Sequence, residues 1–408
     1  MLAEVRMARI VDAIGRVRGG ALSCVEAAAL LGLSERHFRR LRDAYREGGA
    51  EAIIDKRRGR PASNKVAAAI ADWVAEQYRT NYFDFTAKHF HEALKKDGFR
   101  YGYTWTKSVL YLRGLLKPAK ARGPHRRKRP RSPLPGMLVF QDGSTHDWFL
   151  GRGAPCDLIV TLDDATGAIL SAFFVEEEGT ASSFKGLRET IETHGLFSCF
   201  YTDRGSHYFH TPKAGEKVDK ERPTQVGRAL AQLGIAHIPS YSPEGRGRME
   251  RVFGTLQGRL PQELRLAGIG ELGAANAWLA SAFIPAFNAR FAIKPEEEGC
   301  AFLPFVGDLE NILCVQDQRV VGNDNCVRYE GRVLQIPEQA HRRHYVKALV
   351  RVHEYPDASL AIFHGPRQLV RFAAEGACTA GDAPPAQASA RARGPQGQAL
   401  RAALARRP

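Results

Sequence analysis

Apolar residues in the first fifty positions recur at helical spacing. Val5, Ile10, Val11 and Ile14 share one face of a helix predicted over residues 4–17, and Gly19-Gly20 interrupts it. Ser23-Cys24-Val25-Glu26 has the form of a capping box, which predicts a short helix Cys24–Leu31 ending at Gly32. Ser34 can cap a third helix, from Glu35 to about Tyr45, ahead of Gly48-Gly49. Helix, short helix, glycine-containing turn and helix is the order of a helix-turn-helix, predicted for residues 1–55. Gly59 and Pro61 oppose helix, so residues 56–65 read as an extended arm. A second helical trio fits residues 66–117: Val66–Tyr78, Ala87–Lys96 capped by Thr86, and Trp105–Leu116 capped by Thr104.

From Met137 the period changes. Short apolar runs predict strands at Met137–Asp142, Cys156–Asp163, Ala168–Val175, Phe197–Thr202 and Ile235–Pro239. Helical patterns fall at Gly179–His194, Thr224–Leu233, Gly247–Leu260 and about 271–290, with Ser242 and Pro243 opening the third. Three strands, then helix and strand in alternation, predict a mixed five-stranded α/β sheet over residues 137–300. Strand-like runs separated by turn residues in 309–375 predict a small β-barrel. Residues 118–136 read as a basic linker, and 376–408, rich in Ala, Arg, Gly and Pro, as a disordered tail.

With 408 residues, 44% hydrophobic and 25% charged, the chain has material for two to four folded domains. No apolar run approaches the ~20 residues of a membrane-spanning helix, and the first residues lack the apolar stretch of a secretory signal. The seven cysteines form no paired C-x-x-C motif, which predicts neither a disulfide framework nor a zinc site and points to the cytoplasm. Charge is divided unevenly. Residues 1–136 hold 29 Lys and Arg against 13 Asp and Glu, whereas residues 137–408 hold 30 against 31. A basic front on a neutral remainder suits a polyanion grip joined to a module with another task. The third predicted helix carries Arg36, His37, Arg39, Arg40 and Arg42, donors suited to phosphates and to guanine edges in a major groove. Lys56, Arg57, Arg58 and Arg60 in the arm suit a minor groove. Arg126, Arg127, Lys128 and Arg129 in the linker can follow a DNA backbone. A solvated basic surface or a plain linker is the simpler alternative at each place, and a packing role competes for residues 66–117.

Three carboxylates stand at telling places. Asp142 ends the first strand, Asp203 ends the fourth, and Glu250 lies on the helix after the fifth. Three acids brought together repel unless divalent cations lie between them. Oxygen ligands of this kind suit Mg2+ or Mn2+, and two such ions support phosphodiester chemistry. Spacing alone leaves other readings open. The two Asp can be polar strand ends, Glu250 can pair with Arg246 or Arg251, and Asp163 and Asp164 compete for the first role. Glu244 can serve only the helix dipole.

Four segments carry a resemblance: Gln141-Asp142-Gly143-Ser144-Thr145-His146-Asp147-Trp148, Leu162-Asp163-Asp164-Ala165-Thr166, Tyr201-Thr202-Asp203-Arg204-Gly205-Ser206-His207-Tyr208, and Tyr241 to Arg251. In this order they resemble the integrase-type DDE transposases of bacterial insertion sequences, most of all the ISNCY family, over roughly residues 5–300. The resemblance implies a multidomain protein: N-terminal all-α helix-turn-helix domains, a central ribonuclease H-like core and a small C-terminal β-barrel. It implies that Asp142, Asp203 and Glu250 are the catalytic triad and hold two Mg2+ or Mn2+. The 47 positions from Asp203 to Glu250 exceed the spacing usual in integrase-like relatives, and the polar stretch His210–Pro223 reads as an insertion that accounts for the excess. It implies cleavage at the element's terminal inverted repeats and transfer of the 3′-OH into target DNA. Arg204, His207, Arg246 and Arg248 then either bind the scissile phosphate or form fold-supporting salt bridges. It also implies double-stranded DNA as partner, a homodimer or higher oligomer on that DNA, and a place in the bacterial cytoplasm at the nucleoid. A DNA-binding regulator without chemistry and a metal-dependent nuclease without strand transfer are the rival readings. No Walker A motif is present, so the chain is not itself an ATPase of that type.

Overall fold

The computed structural model describes residues 2–54, 66–117, 129–153, 155–211, 217–219, 221–241, 243–374 and 378–379. They form two compact units, residues 1–77 and 78–408.

The first unit opens with α1 (Leu2–Arg18), α2 (Cys24–Leu31) and α3 (Glu35–Ala52). The capping box before α2 is present in full: Ser23 accepts from the Glu26 N–H, and the Glu26 carboxylate takes the Ser23 N–H at 2.8 Å. Ser34 caps α3 through the His37 N–H. The helix leaves regular geometry at Gly48 and Gly49, where Gly49 has φ +64°, and one more turn follows. Ile10, Ile14, Ala27, Ala28, Phe38 and Ile53 form the core of the trio. The predicted basic arm, including Lys56, Arg57, Arg58 and Arg60, lies outside the described residues, as do Arg126, Arg127 and Lys128 of the linker.

In the second unit, the last turn of α4 (Ala68–Thr80) packs with α5 (Ala87–Lys96) and α6 (Tyr103–Leu112). Tyr78 packs edge-on to Phe90 and donates its hydroxyl to the Phe85 carbonyl at 2.7 Å. Thr86 caps α5 as expected. Thr104 does not cap α6. The helix starts two residues earlier than expected, at Tyr103 behind an extended Gly102, which leaves Thr104 inside its first turn.

The central sheet has the order β3-β2-β1-β4-β5, with β1 (Leu138–His146), β2 (Cys156–Asp163), β3 (Ile169–Val175), β4 (Cys199–Thr202) and β5 (Ala236–Pro239). β1, β2 and β3 run antiparallel to their neighbours, and β1, β4 and β5 are parallel. This is the ribonuclease H-like arrangement. Strand alternation sends Val139 to one face and Phe140 to the other. On the Val139 face, α7 (Thr180–His194) and α8 (Gln225–Leu233) bury Phe184, Leu187, Ile191, Val226 and Leu230. On the Phe140 face, α9 (Gly247–Gln257), α10 (Leu260–Leu266), α11 (Leu272–Trp278) and α12 (Ile284–Phe291) bury Met249, Phe253, Leu264 and Phe287.

The helix expected over 271–290 is continuous but widens to a π turn at Leu279–Phe283. Pro285 lies just beyond it, has no N–H and crowds the carbonyl a turn earlier. Two asparagines of this helix close the β3 edge. Asn276 accepts from the Phe174 N–H and donates to its carbonyl, at 2.6 and 3.0 Å. Asn288 does the same for Ile169, at 2.8 Å each way.

The end of the basic linker is not a free tether. Asp164, fully buried, accepts from the Ser132 N–H and hydroxyl and pairs with Arg129. Asp163 accepts from the Gly136 and Thr166 N–H groups. The two acids that competed for the first catalytic role thus hold the chain's entry into the core.

α5 is docked on α10 and α12. His89 meets Glu263 at 2.9 Å, Arg259 meets Glu92 at 2.7 Å with Arg290 on the same carboxylate, and Arg265 grips Asp84 at 2.8 Å. One face of the second helical trio is therefore a packing face.

The C-terminal region corrects the barrel expectation. β6 (Val315–Val320), β9 (Leu349–Glu354), β10 (Leu360–His364), β11 (Arg367–Phe372) and β12 (Cys378–Thr379) form an open sheet of order β12-β11-β10-β9-β6. β7 (Cys326–Tyr329) and β8 (Arg332–Gln335) pair only with each other. This hairpin covers the sheet through Val327, Tyr329 and Leu334 rather than joining its ladder, so among the described residues the strands do not close. Most of the predicted tail lies outside the described residues. Among the described residues, no helix is long and apolar enough to cross a membrane, and the cysteines from Cys24 to Cys326 are free.

Candidate active site

Asp142 and Asp203 leave adjacent parallel strands on the same face. β1 pairs with β4 through Leu138–Cys199, Val139–Phe200 and Phe140–Tyr201. Two residues further on each strand come the two acids, on the side that faces α9. Arg246, in the 3-10 turn Pro243–Arg246, places one guanidinium nitrogen 3.9 Å from Asp142 and 3.8 Å from Asp203. Burial pushes the Asp142 carboxyl up to about 7, with Arg246 opposing and the nearby Asp203 and Glu178 adding to the rise. Asp203 itself accepts from the Gly205 N–H at 2.8 Å, which fixes the turn after β4.

Glu250 lies on α9, exposed, in its first turn. It follows Arg246 by four residues and precedes Gln257 by seven, and Gln257 donates to the Ser144 hydroxyl at 3.2 Å. Both ends of this stripe thus touch groups beside or at Asp142, and Glu250 stands between them on the same face. The side chain does not reach the pair: among the described residues no three His, Cys, Asp or Glu groups stand close enough to share an ion. The donor set nevertheless fits a hard divalent cation. Two carboxylates share a guanidinium as counter-cation, and the more buried of them gives up its proton only near neutral pH without further positive charge.

The flanking bases fall into different places. Arg204 lies over the Tyr241 ring at 5.1 Å, half-buried beside the turn. The His207 ring packs at a tilt against Tyr208, 4.0 Å between centres, and faces Glu178 at 3.6 Å. Arg248 is 9% exposed and points away from the acids. It binds Asp164 at 2.8 Å and donates to the carbonyls of Arg129 and Pro130, so it is a fold-supporting ion pair. Burial lowers its pKa to about 10, which keeps it charged.

Sequence reasoning missed Glu178. Its carboxyl lies against Gly143, where a Cβ would collide with it, and against His207. It sits in a run of three glutamates before α7, and only the fold brings one of them to β1. On α3, Arg36, His37, Arg39 and Arg40 are exposed, with Arg39 paired to Glu35, whereas Arg42 is half-buried on Asp43 and Cys24. Within the insertion, His210 and Asp219 form an isolated bridge, and residues 212–216 and 220 lie outside the described set.

Residues 13–71 match a winged helix-turn-helix family. Over 356 residues, 86% of the chain and 77% of the relative, the sequence is 34% identical to the "Putative transposase y4bF" of Sinorhizobium fredii. Over 370 residues, 80% of the chain and 77% of the relative, it is 29% identical to the transposase for insertion sequence IS1202 of Streptococcus pneumoniae. Among solved structures, a magnesium complex of the HTLV-2 integrase catalytic core covers 36% of the chain and 87% of that core, at 18% identity and a TM-score of 0.29. A simian T-cell lymphotropic virus intasome chain covers 71% of this chain and 91% of its own length, at 15% identity and a TM-score of 0.31. At these scores the fold rests on the strand order and ladders described above. With 34% identity to a relative across most of both chains, the protein belongs to the family of insertion-sequence transposases.

Proposed function

We propose that this transposase binds the terminal inverted repeats of its element, cuts DNA there in a metal-dependent reaction and joins the freed 3′-OH to target DNA, with Asp142, Asp203 and Glu250 as the catalytic acids. The observation that carries the reading is the pairing of Asp142 and Asp203 across a shared cation, Arg246, at the end of two parallel strands.

The three carboxylates would hold Mg2+ or Mn2+, two ions in the full reading. When bound, such ions raise the nucleophilicity of an attacking oxygen and stabilise the leaving one. The chain's own residues do the rest. Arg246 offsets part of the acid pair's charge before ions and DNA arrive, and its exposed part can then turn to a phosphate. Arg204 and His207 flank the same turn and supply further donors toward that phosphate. Arg248 is excluded from this role by its bonds to Asp164. The reading requires Glu250 to come closer to the pair than it stands here, and DNA and metal would supply the attraction. DNA binding falls to the helix-turn-helix, with Arg36, His37, Arg39 and Arg40 as the recognition-face donors, and to the basic arm and linker. Two ends must be held together for joining, so we take the active form as a dimer or larger assembly on DNA.

The test uses labelled DNA that carries the inverted ends flanking the gene, full-length protein, and Mg2+ or Mn2+. Cut and joined products are read on a denaturing gel. Asp203→Asn and Glu250→Gln should each lower both products at least a hundredfold while leaving DNA binding intact. Binding without cutting by the unaltered protein favours the regulator, and cutting without joining favours the nuclease. Full activity in Glu250→Gln would remove Glu250 from the triad and leave Glu178 as the acid nearest the pair.

A further inference from the structure

The ladder between β1 and β4 stops short of the acids. Its last rung joins Phe140 to Tyr201, so Asp142 and Asp203 project from backbone beyond the paired region. Neighbouring strands are rotated by roughly 20° and part beyond their last rung unless another link spans them. Repulsion between two carboxylates pushes the same way.

A buried side-chain relay spans this gap on the opposite face of the sheet. The Tyr208 hydroxyl donates to Gln141 Oε1 at 2.9 Å, and Gln141 Nε2 donates to Thr161 Oγ1 at 3.0 Å. Tyr208 and Gln141 are 1% exposed and Thr161 is wholly buried. Gln141 directly precedes Asp142. Tyr208 ends the turn whose first residue is Asp203. Its N–H bonds to the Gly205 carbonyl, and its own carbonyl accepts from the capping hydroxyl of Thr224. The relay thus connects the backbone under one acid to the turn that carries the other. α7 makes room for it: a Cβ at Gly186 would collide with Gln141 Nε2. A mid-helix glycine destabilises by about 0.5–1 kcal/mol relative to alanine, and here it admits the amide.

We infer that Tyr208 and Gln141 are positioning residues that set the separation of the Asp142 and Asp203 carboxylates. The inference rests on the reading of those two acids as cation ligands. The relay is neutral and lies across the sheet from the acids, so it acts through the backbone alone. A fully bonded buried relay is stiff, and partners behind a metal ligand typically change metal affinity by about 10–100-fold.

The test titrates Mn2+ into the full-length chain without DNA, with bound ion followed by electron paramagnetic resonance and stability by thermal melting. Tyr208→Phe should melt at a lower temperature and bind Mn2+ about tenfold more weakly. The double variant Tyr208→Phe with Gln141→Leu removes the orphaned amide as well. It should regain melting temperature without regaining affinity, which a purely structural role would not produce. Affinity that returns with stability in the double variant overturns the inference. So does wild-type affinity in both variants when Asp203→Asn has lost the ion. Equal binding by wild type and Asp203→Asn overturns both the inference and the carboxylate reading beneath it.

Discussion

Arg248 and His353 are both buried ionisable residues, and they meet burial in opposite ways. Arg248 keeps its charge because the buried Asp164 carboxylate and two linker carbonyls surround it. His353 is 2% exposed, stacks on Phe363 at 4.1 Å between ring centres, and has no hydrogen-bond partner for either ring nitrogen among the described residues. Burial, with Arg351 and Arg228 nearby, lowers its pKa from the ordinary 6.5 to about 4, so it is neutral in the fold. The unfolded chain takes up a proton between those values and the folded chain does not. The stability this neutral ring contributes is therefore complete above about pH 6.5 and is lost as the pH falls toward 4. His237, lowered to about 4 by burial, works in the same direction. In His353→Phe the loss of melting temperature between pH 7 and pH 5 should be smaller than in the wild type, with stability at pH 7 held or raised. An unchanged slope would mean that the ring is protonated in the fold. None of this was legible in sequence, because nothing in the residues around position 353 marks its ring as lacking partners.

At the scale of elements, local signals and the central mixed sheet are legible in the sequence, and the pairing of the C-terminal strands is not. The capping box of α2, the Thr86 cap of α5 and the mostly apolar, wholly buried run of β2 carry their own boundaries, since cap chemistry and burial on both faces act within a few residues. The C-terminal strands were also visible as runs, but whether a sheet closes depends on which edges meet. There β7 and β8 pair only with each other. The candidate site divides the same way. Asp142, Asp203 and Glu250 stand in recognisable motifs, while Glu178, Tyr208 and Gln141 acquire their relation only through the β1–β4 neighbourhood. The β3 edge gives an element-scale prediction. Asn288→Ala leaves the Ile169 N–H and carbonyl without partners in a part-buried place, and should destabilise the core by about 1–3 kcal/mol in a denaturant titration.

For the whole molecule, the charge division is the most telling number in the sequence: the basic front contains the helix-turn-helix match, and the neutral remainder contains the five-stranded core. The basic linker 118–136 reads in sequence as a tether that separates two domains, and its first part, 118–128, lies outside the described residues. Yet α5 and the turn before it are held to α10, its N-cap Arg259 and α12 by four ion pairs, and residues 129–136 are held by Asp163 and Asp164. Both flanks of the segment thus belong to one body. Limited trypsin cleavage between Lys117 and Arg129 should therefore leave two fragments that co-elute on gel filtration at physiological salt; fragments that separate would show the docking to be weak. Mechanically, residues 129–136 are a handle rather than a leash. A leash transmits nothing until it is taut, whereas a handle passes any pull from bound DNA straight into its anchors. One anchor is Asp164, and the other end of its ion pair is Arg248, two residues before Glu250 on the same helix.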